Sequence, residues 1–329
     1  MTDINQPSLF GEELTTEAAV PTTEVPAAIW EQDVAKRALD ELFLLTRQYK
    51  SSKAYYELLR FITCFRFYSL YNAMLIHVQM PGATFVAPPK RWLKDYGRQI
   101  RAGARPLVIL QPKGPVMFVF DVGDTEPTGD ALPLPPEVEK PFEVRKGHIG
   151  DELEMVIENA KRDGIRTRES HEGAQHAGSI RVVSGHLKNS QPFQLGIDSH
   201  RKPTFIDVPI RYDLLVNGNL SREARYATLV HELAHLYCGH LSTPNDEWWP
   251  DRCGLNHNAR EFEAESVTYL VCCRAGINNP SEQYLSNYLE KEKQVPSISF
   301  NCVMKSAALI ETMSRRRMNP RKQKNKDKT

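Results

Sequence analysis

His231 and His235 lie four positions apart, with Glu232 between them, in the run His-Glu-Leu-Ala-His. Residues four apart occupy the same face of an α-helix, so the two imidazoles can share one metal ion. Neutral imidazole nitrogens at tetrahedral spacing suit Zn²⁺, and Glu232 projects toward the same site as a candidate general base. The spacing therefore predicts one divalent ion, with His231 and His235 as ligands and Glu232 as the catalytic residue.

The surrounding residues predict the helix that this spacing requires. Ser221 is suited to the N-cap, Glu223 complements the positive end of the helix dipole, and Gly239 ends the pattern. An apolar face is supplied by Ala224, Ala227, Leu229, Val230, Leu233 and Leu236. The alternative, a solvated or buried histidine pair without a metal, agrees less well with so strongly amphipathic a helix.

A catalytic zinc ion needs a third protein ligand and one open coordination position. The next predicted helix carries three acidic residues, Glu261, Glu263 and Glu265. Glu261 and Glu265 lie four apart on one face and Glu263 points elsewhere, so the residues alone leave Glu261 and Glu265 open. His240, five residues beyond His235, is a further alternative.

Composition limits the class of protein. The chain has 329 residues, a net charge of +1 and 41% hydrophobic residues, which leaves room for two modest domains. So small a net charge attracts no nucleic acid by itself, and local clusters must do so. No apolar run is long enough to span a bilayer, and residues 1–28 lack the basic and apolar regions of a signal peptide. Six cysteines without a Cys-x-x-Cys motif are typical of reduced thiols. We expect a cytoplasmic protein with no membrane partner.

The first half of the chain predicts a helical domain with a hairpin. Residues 1–28 are rich in Thr, Glu and Pro, which predicts disorder. Apolar residues then recur at helical spacing from residue 29. The short apolar runs 106–110 and 116–120 are joined by a turn rich in Pro and Gly and predict a β-hairpin. We place this domain at residues 29–125.

The segment between Pro88 and Lys113 is strongly basic and contains aromatic residues. Candidate contacts to nucleic acid in it are Lys90, Arg91, Trp92, Lys94, Tyr96, Arg98, Arg101 and Arg105. Positive charges can follow a phosphate backbone and aromatic faces can stack on bases, which together favour binding of single-stranded DNA. The alternative is a solvated basic face with Trp92 in the core.

The second half begins after a proline-rich stretch. Five prolines within residues 126–141 predict a semi-rigid linker. Beyond it the pattern predicts a helix at 151–163, then three short strands, then the His-Glu-Leu-Ala-His helix. The strands are predicted at residues 179–183, 193–197 and 204–208. This order is expected of a zincin-like α+β domain, which we place at residues 142–312, followed by a basic disordered tail at 313–329.

Both halves resemble known families. The first is similar to the single-stranded-DNA-binding domain of ArdC-type antirestriction proteins in Tyr71-Asn72-Ala73, Gln79, Trp92, Gly97-Arg98, Gly103 and residues 107–112. The His-Glu-Leu-Ala-His helix, followed by a Glu-Ala-Glu-Ser helix, resembles the metallopeptidase-like domains of the ArdC and ImmA/IrrE families. The resemblance covers residues 30–125 and 205–290.

The resemblance implies a fold and a function. In those families a helix glutamate completes the metal site, and the Glu-Ala-Asn-x-Phe pattern of ImmA/IrrE, laid on residues 265–269, favours Glu265, with Val267 in the place of Asn. The implied α+β protein joins an N-terminal helical and β-hairpin domain that binds single-stranded DNA to a zincin-like metallopeptidase domain that acts on a protein substrate.

An alternative from another class is a non-enzymatic protection protein that binds single-stranded DNA and whose metal site is structural or inactive. A group that stabilises a developing oxyanion would distinguish a hydrolase from such a protein. The sequence offers Tyr237, Tyr269 and Arg252 for this role.

Overall fold

A computed structural model of the chain describes residues 49, 51–111, 114–129, 132–134, 147–171, 177–183, 189–277 and 280–321. The predictions of disorder at 1–28 and of a helical run just after residue 29 lie outside these residues. So do residues 130–131 and 135–141 of the predicted linker. The described chain mixes helices and strands, as the sequence predicts.

The described part of the first half contains three α-helices and five strands. The helices are α1 (Ser52–Cys64), α2 (Leu70–Gln79) and α3 (Pro89–Tyr96), and the strands are β1 (Val86–Ala87), β2 (Arg98–Ile100), β3 (Leu107–Gln111), β4 (Gly114–Asp121) and β5 (Thr125–Pro127). Strands β1, β4 and β3 form one antiparallel sheet in that order, and β2 pairs with β5. The predicted hairpin is confirmed as β3 and β4.

Two amides of α2 bind the backbone of β3. Asn72 accepts from the N–H of Leu110 at 2.9 Å and donates to the carbonyl of the same residue at 3.1 Å. Gln79 forms the same pair with Val108, at 2.9 Å in each direction. Because β3 lies at the end of its sheet, these side chains satisfy backbone groups that the sheet leaves free. Asn72 and Gln79 therefore hold α2 on the sheet.

The second half contains five helices and five strands within the described ranges. The strands are β6 (Ile165–Ser170), β7 (Gly178–Val182), β8 (Ser190–Ile197), β9 (Pro203–Pro209) and β10 (Tyr212–Asn217). The helices are α4 (Glu152–Ala160), α5 (Arg222–Tyr237), α6 (His257–Ala275), α7 (Ser281–Lys291) and α8 (Phe300–Arg315). The three predicted strands are confirmed as β7, β8 and β9, whereas β6 and β10 were not predicted.

The strands of this half form a sheet and a separate ribbon. In the sheet, β10 is central, parallel to β6 and antiparallel to β7, and in the ribbon β8 pairs with β9. Helix α5 follows β10 directly and contacts β7, α6 and α8. The sheet and these helices therefore hold α5 on several sides.

Helices from the two halves pack on each other. Tyr55 of α1 donates to Ser266 of α6 at 3.0 Å. The buried guanidinium of Arg274 pairs with Glu311. It also donates to four backbone carbonyls at the end of α1 and just beyond it, those of Ile62, Phe65, Arg66 and Tyr68. Described residues on both sides of the predicted linker therefore share one hydrophobic core.

The prediction of disorder from residue 313 is wrong for the first part of that tail. Helix α8 continues to Arg315, and Arg321 places its Nε 2.6 Å from the buried carboxylate of Asp163. A buried carboxylate requires a partner, and this ion pair holds the segment in place. Residues 322–329 lie outside the described range.

None of the helices in the described part of the chain combines the length and the apolar character that a bilayer crossing demands.

Candidate metal centre

Helix α5 presents the His-Glu-Leu-Ala-His residues. Its N-terminus is capped by Ser221, whose hydroxyl accepts from the N–H of Ala224 at 3.3 Å, as predicted. The apolar face is fully buried at Leu229, Val230 and Leu233. His231, Glu232 and His235 are half-buried on the remaining surface, so the packing of the apolar face directs all three toward one cleft.

Glu261 of α6 meets both imidazoles. The Nε2 atoms of His231 and His235 are 3.2 Å apart. The carboxylate oxygens of Glu261 lie 3.7 Å from Nε2 of His231 and 3.5 Å from Nε2 of His235. These three donors lie close enough together to hold one metal ion.

Glu265 lies one turn further along α6 and meets a different atom. Its carboxylate is 3.6 Å from Nδ1 of His231, the ring nitrogen that faces away from His235. One imidazole cannot direct both nitrogens at a single ion, so the geometry favours Glu261 over the predicted Glu265 as third ligand. In this arrangement Glu265 lies behind His231, on the side of the ring where a carboxylate can orient a candidate ligand.

Glu232, the glutamate of the His-Glu-Leu-Ala-His motif, faces strand β7. Glu232 accepts a hydrogen bond from the backbone N–H of Ile180. A Cβ at Gly178 would come within 2.5 Å of the Thr228 side chain and 3.7 Å of Cγ of Glu232. Glycine at this position therefore lets β7 approach α5 closely enough to line the site.

Burial controls the protonation of the site. It raises the pKa of Glu232 above its usual value, against the opposing effects of His231 and of the Ile180 N–H. Burial, and then the neighbouring His231 and His240, lower the pKa of His235 to about 2. His235 is therefore a neutral imidazole, the form that binds a metal.

The site opens into a cleft of about 280 Å³. Strand β7 lines one side with Gly178, Ser179 and Ile180, and α6 contributes His257 and Arg260. Nε of Arg260 is buried and has no hydrogen-bond partner among the described residues. Neither His257 nor Arg260 was predicted, and the only signal in the sequence was that they lie within four residues of Glu261.

The three candidates for oxyanion stabilisation have other partners. Tyr237 donates to Asp163 at 2.8 Å, and Arg252 binds both carboxylate oxygens of Glu263. Tyr269 is buried against the ring of Tyr56, with 5.9 Å between ring centroids. Of these four residues, Arg260 is the one that lines the cleft.

His240, the remaining alternative ligand, lies behind His235. The Nδ1 atoms of the two rings are 2.9 Å apart, and Nε2 of His240 is 2.9 Å from Glu263. Cys238, His240 and Glu263 are close enough together to bind a metal. However, Arg252 donates to both carboxylate oxygens of Glu263, and the thiol of Cys238 donates to Ser306. Because these groups already have partners within the protein, we interpret the cluster as a buried Arg252–Glu263 ion pair and not as a metal site.

The basic segment, residues 88–113, divides into buried and exposed parts. Trp92 is fully buried against Phe85 and Tyr96, and its indole N–H donates to the carbonyl of Phe120 at 2.9 Å. It has no free face, so the prediction that Trp92 stacks on a base is corrected to a role in the core. Tyr96, the second predicted stacking residue, is half-buried in the same cluster.

The cations of this segment also differ in their partners. Arg91 pairs with Asp95 at 3.2 Å, and Arg98 donates to Thr125 at 2.7 Å. The other four predicted contacts are exposed and form no ion pair with another described residue: Lys90, Lys94, Arg101 and Arg105.

No protein-family profile and no curated protein matches the chain. Two similar solved structures are those of the antirestriction protein ArdC from plasmid R388, one metal-free and one with bound Mn(II), each 15% identical to this chain. The alignments cover 74% of this chain and 81% of the metal-free structure at a TM-score of 0.29, and 75% and 85% for the Mn(II) structure at 0.30. TM-scores this low do not establish a shared fold.

Proposed function

We propose that this protein is a zinc-dependent peptidase whose ligands are His231, His235 and Glu261. The observation that carries the proposal is the convergence of these three side chains beside Glu232 in an open cleft. Two imidazoles and one carboxylate are one of the donor sets found in catalytic zinc sites, which leave one coordination position open. A structural zinc site is instead closed by four protein ligands, often including cysteine.

The residues of the cleft account for peptide hydrolysis. A zinc ion held there would polarise a carbonyl group and make water a better nucleophile. Glu232 accepts a proton from the attacking water and gives it to the leaving nitrogen as the C–N bond breaks. The Ile180 N–H holds the Glu232 carboxylate in place, and Arg260 provides positive charge for the carbonyl oxygen.

Strand β7 indicates the form of the substrate. Among the described residues it pairs with β10 on one side only, and it runs along the cleft. An unpaired strand edge can bind an extended peptide through backbone hydrogen bonds. We infer that the substrate is an extended segment of a protein chain, which β7 aligns across the metal site.

Incubation of the zinc-loaded protein with a mixture of synthetic peptides tests this function. We expect cleavage products in mass spectra, and none after the metal has been removed with a chelator. If the fully loaded protein cleaves no peptide in the mixture, with or without single-stranded DNA, the alternative of a structural or inactive site is favoured.

A second proposed function, binding of single-stranded DNA, is supported by the exposed cations Lys90, Lys94, Arg101 and Arg105. Phosphate contacts need cations that are free of acidic partners, and each contact releases condensed counterions. A protein that binds DNA strands and cleaves proteins would fit the antirestriction role that the sequence resemblance implies.

We expect DNA affinity to fall steeply with salt and the Arg101→Ala variant to flatten that dependence. Each lost contact should reduce the slope by about 0.7 log units of affinity per log unit of salt. Fluorescence titration of the full chain with single-stranded and duplex oligonucleotides measures both quantities. Lys53→Ala in α1, which removes an exposed lysine paired with Glu57, is the control. Equal affinity for both DNA forms, or a slope near zero, would contradict this function.

A further inference from the structure

A chain of hydrogen-bonded side chains runs from the buried carboxylate of Glu263 to the proposed metal site. Nε2 of His240 is 2.9 Å from Oε2 of Glu263, and Nδ1 of His240 is 2.9 Å from Nδ1 of His235. The side chains of His240 and Glu263 are 1% and 0% exposed. Water therefore does not compete for these bonds, and each proton in the chain must serve one of them.

The partners of Glu263 determine the direction of the chain. Arg252 donates to one carboxylate oxygen at 2.6 Å and to the other at 2.7 Å, and the backbone N–H of Ser299 donates as well. A carboxylate in a bidentate arginine pair only accepts hydrogen bonds. Nε2 of His240 must therefore carry a hydrogen. Arg252 already balances the negative charge of Glu263, so a second hydrogen on the His240 ring would add an unpaired positive charge to a buried cluster. Nδ1 of His240 is therefore left as an acceptor.

This direction fixes His235 in turn. To bond with an acceptor, Nδ1 of His235 must carry the hydrogen of that ring. The lone pair of His235 then lies on Nε2, the atom that faces His231 and Glu261. Neutral imidazole in water favours the opposite tautomer, with hydrogen on Nε2, and that form cannot bind a metal through Nε2.

We propose that His240 is a positioning residue that holds His235 in the tautomer with hydrogen on Nδ1 and so keeps Nε2 free for a metal ion. The inference rests on the metal site proposed above, because it assigns His235 as a ligand through Nε2. His240 does not touch the ion, and it acts only through the ring of His235.

The turn after α5 is built to bring His240 back against His235. Gly239 has a φ of +83°, and a Cβ there would lie 2.2 Å from the carbonyl oxygen of Pro250. The N–H of Arg252 donates to the carbonyl of Gly239 at 2.7 Å. Only glycine fits this left-handed and crowded position. The loop between Gly239 and Arg252 thus brings His240 and Arg252 to the same side chain, Glu263.

Two substitutions at position 240 separate a bonding role from a packing role. Glutamine can accept from His235 through its oxygen and donate to Glu263 through its amide, so His240→Gln retains both bonds. His240→Leu fills similar space with neither bond. His200→Leu, at an exposed histidine in the turn between β8 and β9, is the matched control.

The first measurement is the ¹⁵N chemical shifts of the histidine rings in the metal-free protein, with His235 assigned by its loss in His235→Gln. We expect His235 of the unsubstituted protein to carry its hydrogen on Nδ1, and the hydrogen to move toward Nε2 in His240→Leu. If the unsubstituted protein already carries it on Nε2, the proposal is wrong. This result needs no variant at position 240 to fold.

The second measurement is zinc affinity by competition with a chromophoric chelator. Residues that orient a ligand histidine typically contribute about 10- to 100-fold in metal affinity. We expect a loss of that size in His240→Leu, a smaller loss in His240→Gln, and none in His200→Leu. Equal affinity in His240→Leu and the unsubstituted protein would overturn the proposal. If the unsubstituted protein binds no zinc, the metal site itself is refuted, and the ring shifts still decide the role of His240.

Discussion

The Glu232→Gln variant is expected to retain its metal ion and to lose peptide hydrolysis. The substitution removes the proposed general base but leaves both imidazoles and Glu261 in place. The amide oxygen of glutamine can still accept from the Ile180 N–H, so the position of the side chain is preserved. General-base catalysis typically contributes about 10²- to 10⁴-fold, and we expect a loss of this size in kcat/KM. Metal content and peptide cleavage are measured on the same preparation.

The control for this variant is Glu57→Gln, which makes the same chemical change at an exposed position in α1. It should retain both metal and activity. If Glu232→Gln cleaves peptides as fast as the unsubstituted protein, Glu232 is not the base. If neither the unsubstituted protein nor Glu232→Gln cleaves any peptide although both hold metal, the non-enzymatic alternative agrees better with the data.

The Trp92→Ala variant is expected to be less stable by about 3–5 kcal/mol, the usual cost of deleting a large buried aromatic side chain. Trp92 is 0% exposed, and its removal also leaves the carbonyl of Phe120 without the indole N–H. Urea unfolding followed by circular dichroism measures the loss. Leu93→Ala is the matched control, because Leu93 is the next residue of α3 and is 59% exposed.

The same variant distinguishes the two interpretations of Trp92. A core residue destabilises the fold when it is removed, and DNA affinity falls only as far as the folded fraction falls. A stable Trp92→Ala variant with selectively weakened DNA binding would show instead that the indole stacks on a base. That result would restore the interpretation that the burial of Trp92 argues against.

Helix α5 was predictable because its signals are local. The N-cap at Ser221 and the four-residue spacing of His231 and His235 lie within one stretch of sequence and need no knowledge of the fold. The same periodicity correctly separates Glu263, which points toward Arg252, from Glu261 and Glu265.

The third ligand could not be chosen in this way. Glu261 and Glu265 lie on the same face of α6, so helix periodicity treats them alike. The choice depends on the axial offset between α6 and α5, and tertiary contacts determine that offset. The position of His240 likewise depends on a loop that is closed by a hydrogen bond from the N–H of Arg252 to the carbonyl of Gly239, a contact that local sequence does not reveal.

Strand β6 was missed because its charged residues conceal the usual strand pattern, whereas β10 is a short apolar run with a single charge, Asp213. Arg166 and Arg168 of β6 both bind the buried carboxylate of Asp213 in β10. The hydrogen bond from Arg166 holds the pKa of Asp213 below its usual value. Charged residues in a short run suggest an exposed loop, and only the pairing of the two strands shows how they are accommodated.

The metal content of Glu261→Ala and Glu265→Ala, compared with that of the unsubstituted protein, tests the central claim most directly. After zinc loading and removal of excess metal, we expect one ion per chain in the unsubstituted protein. Glu265→Ala should retain the ion, although more weakly, and Glu261→Ala should lose it, as should the reference variant His231→Ala. Full metal in Glu261→Ala together with loss in Glu265→Ala would contradict the account and assign the third ligand to Glu265.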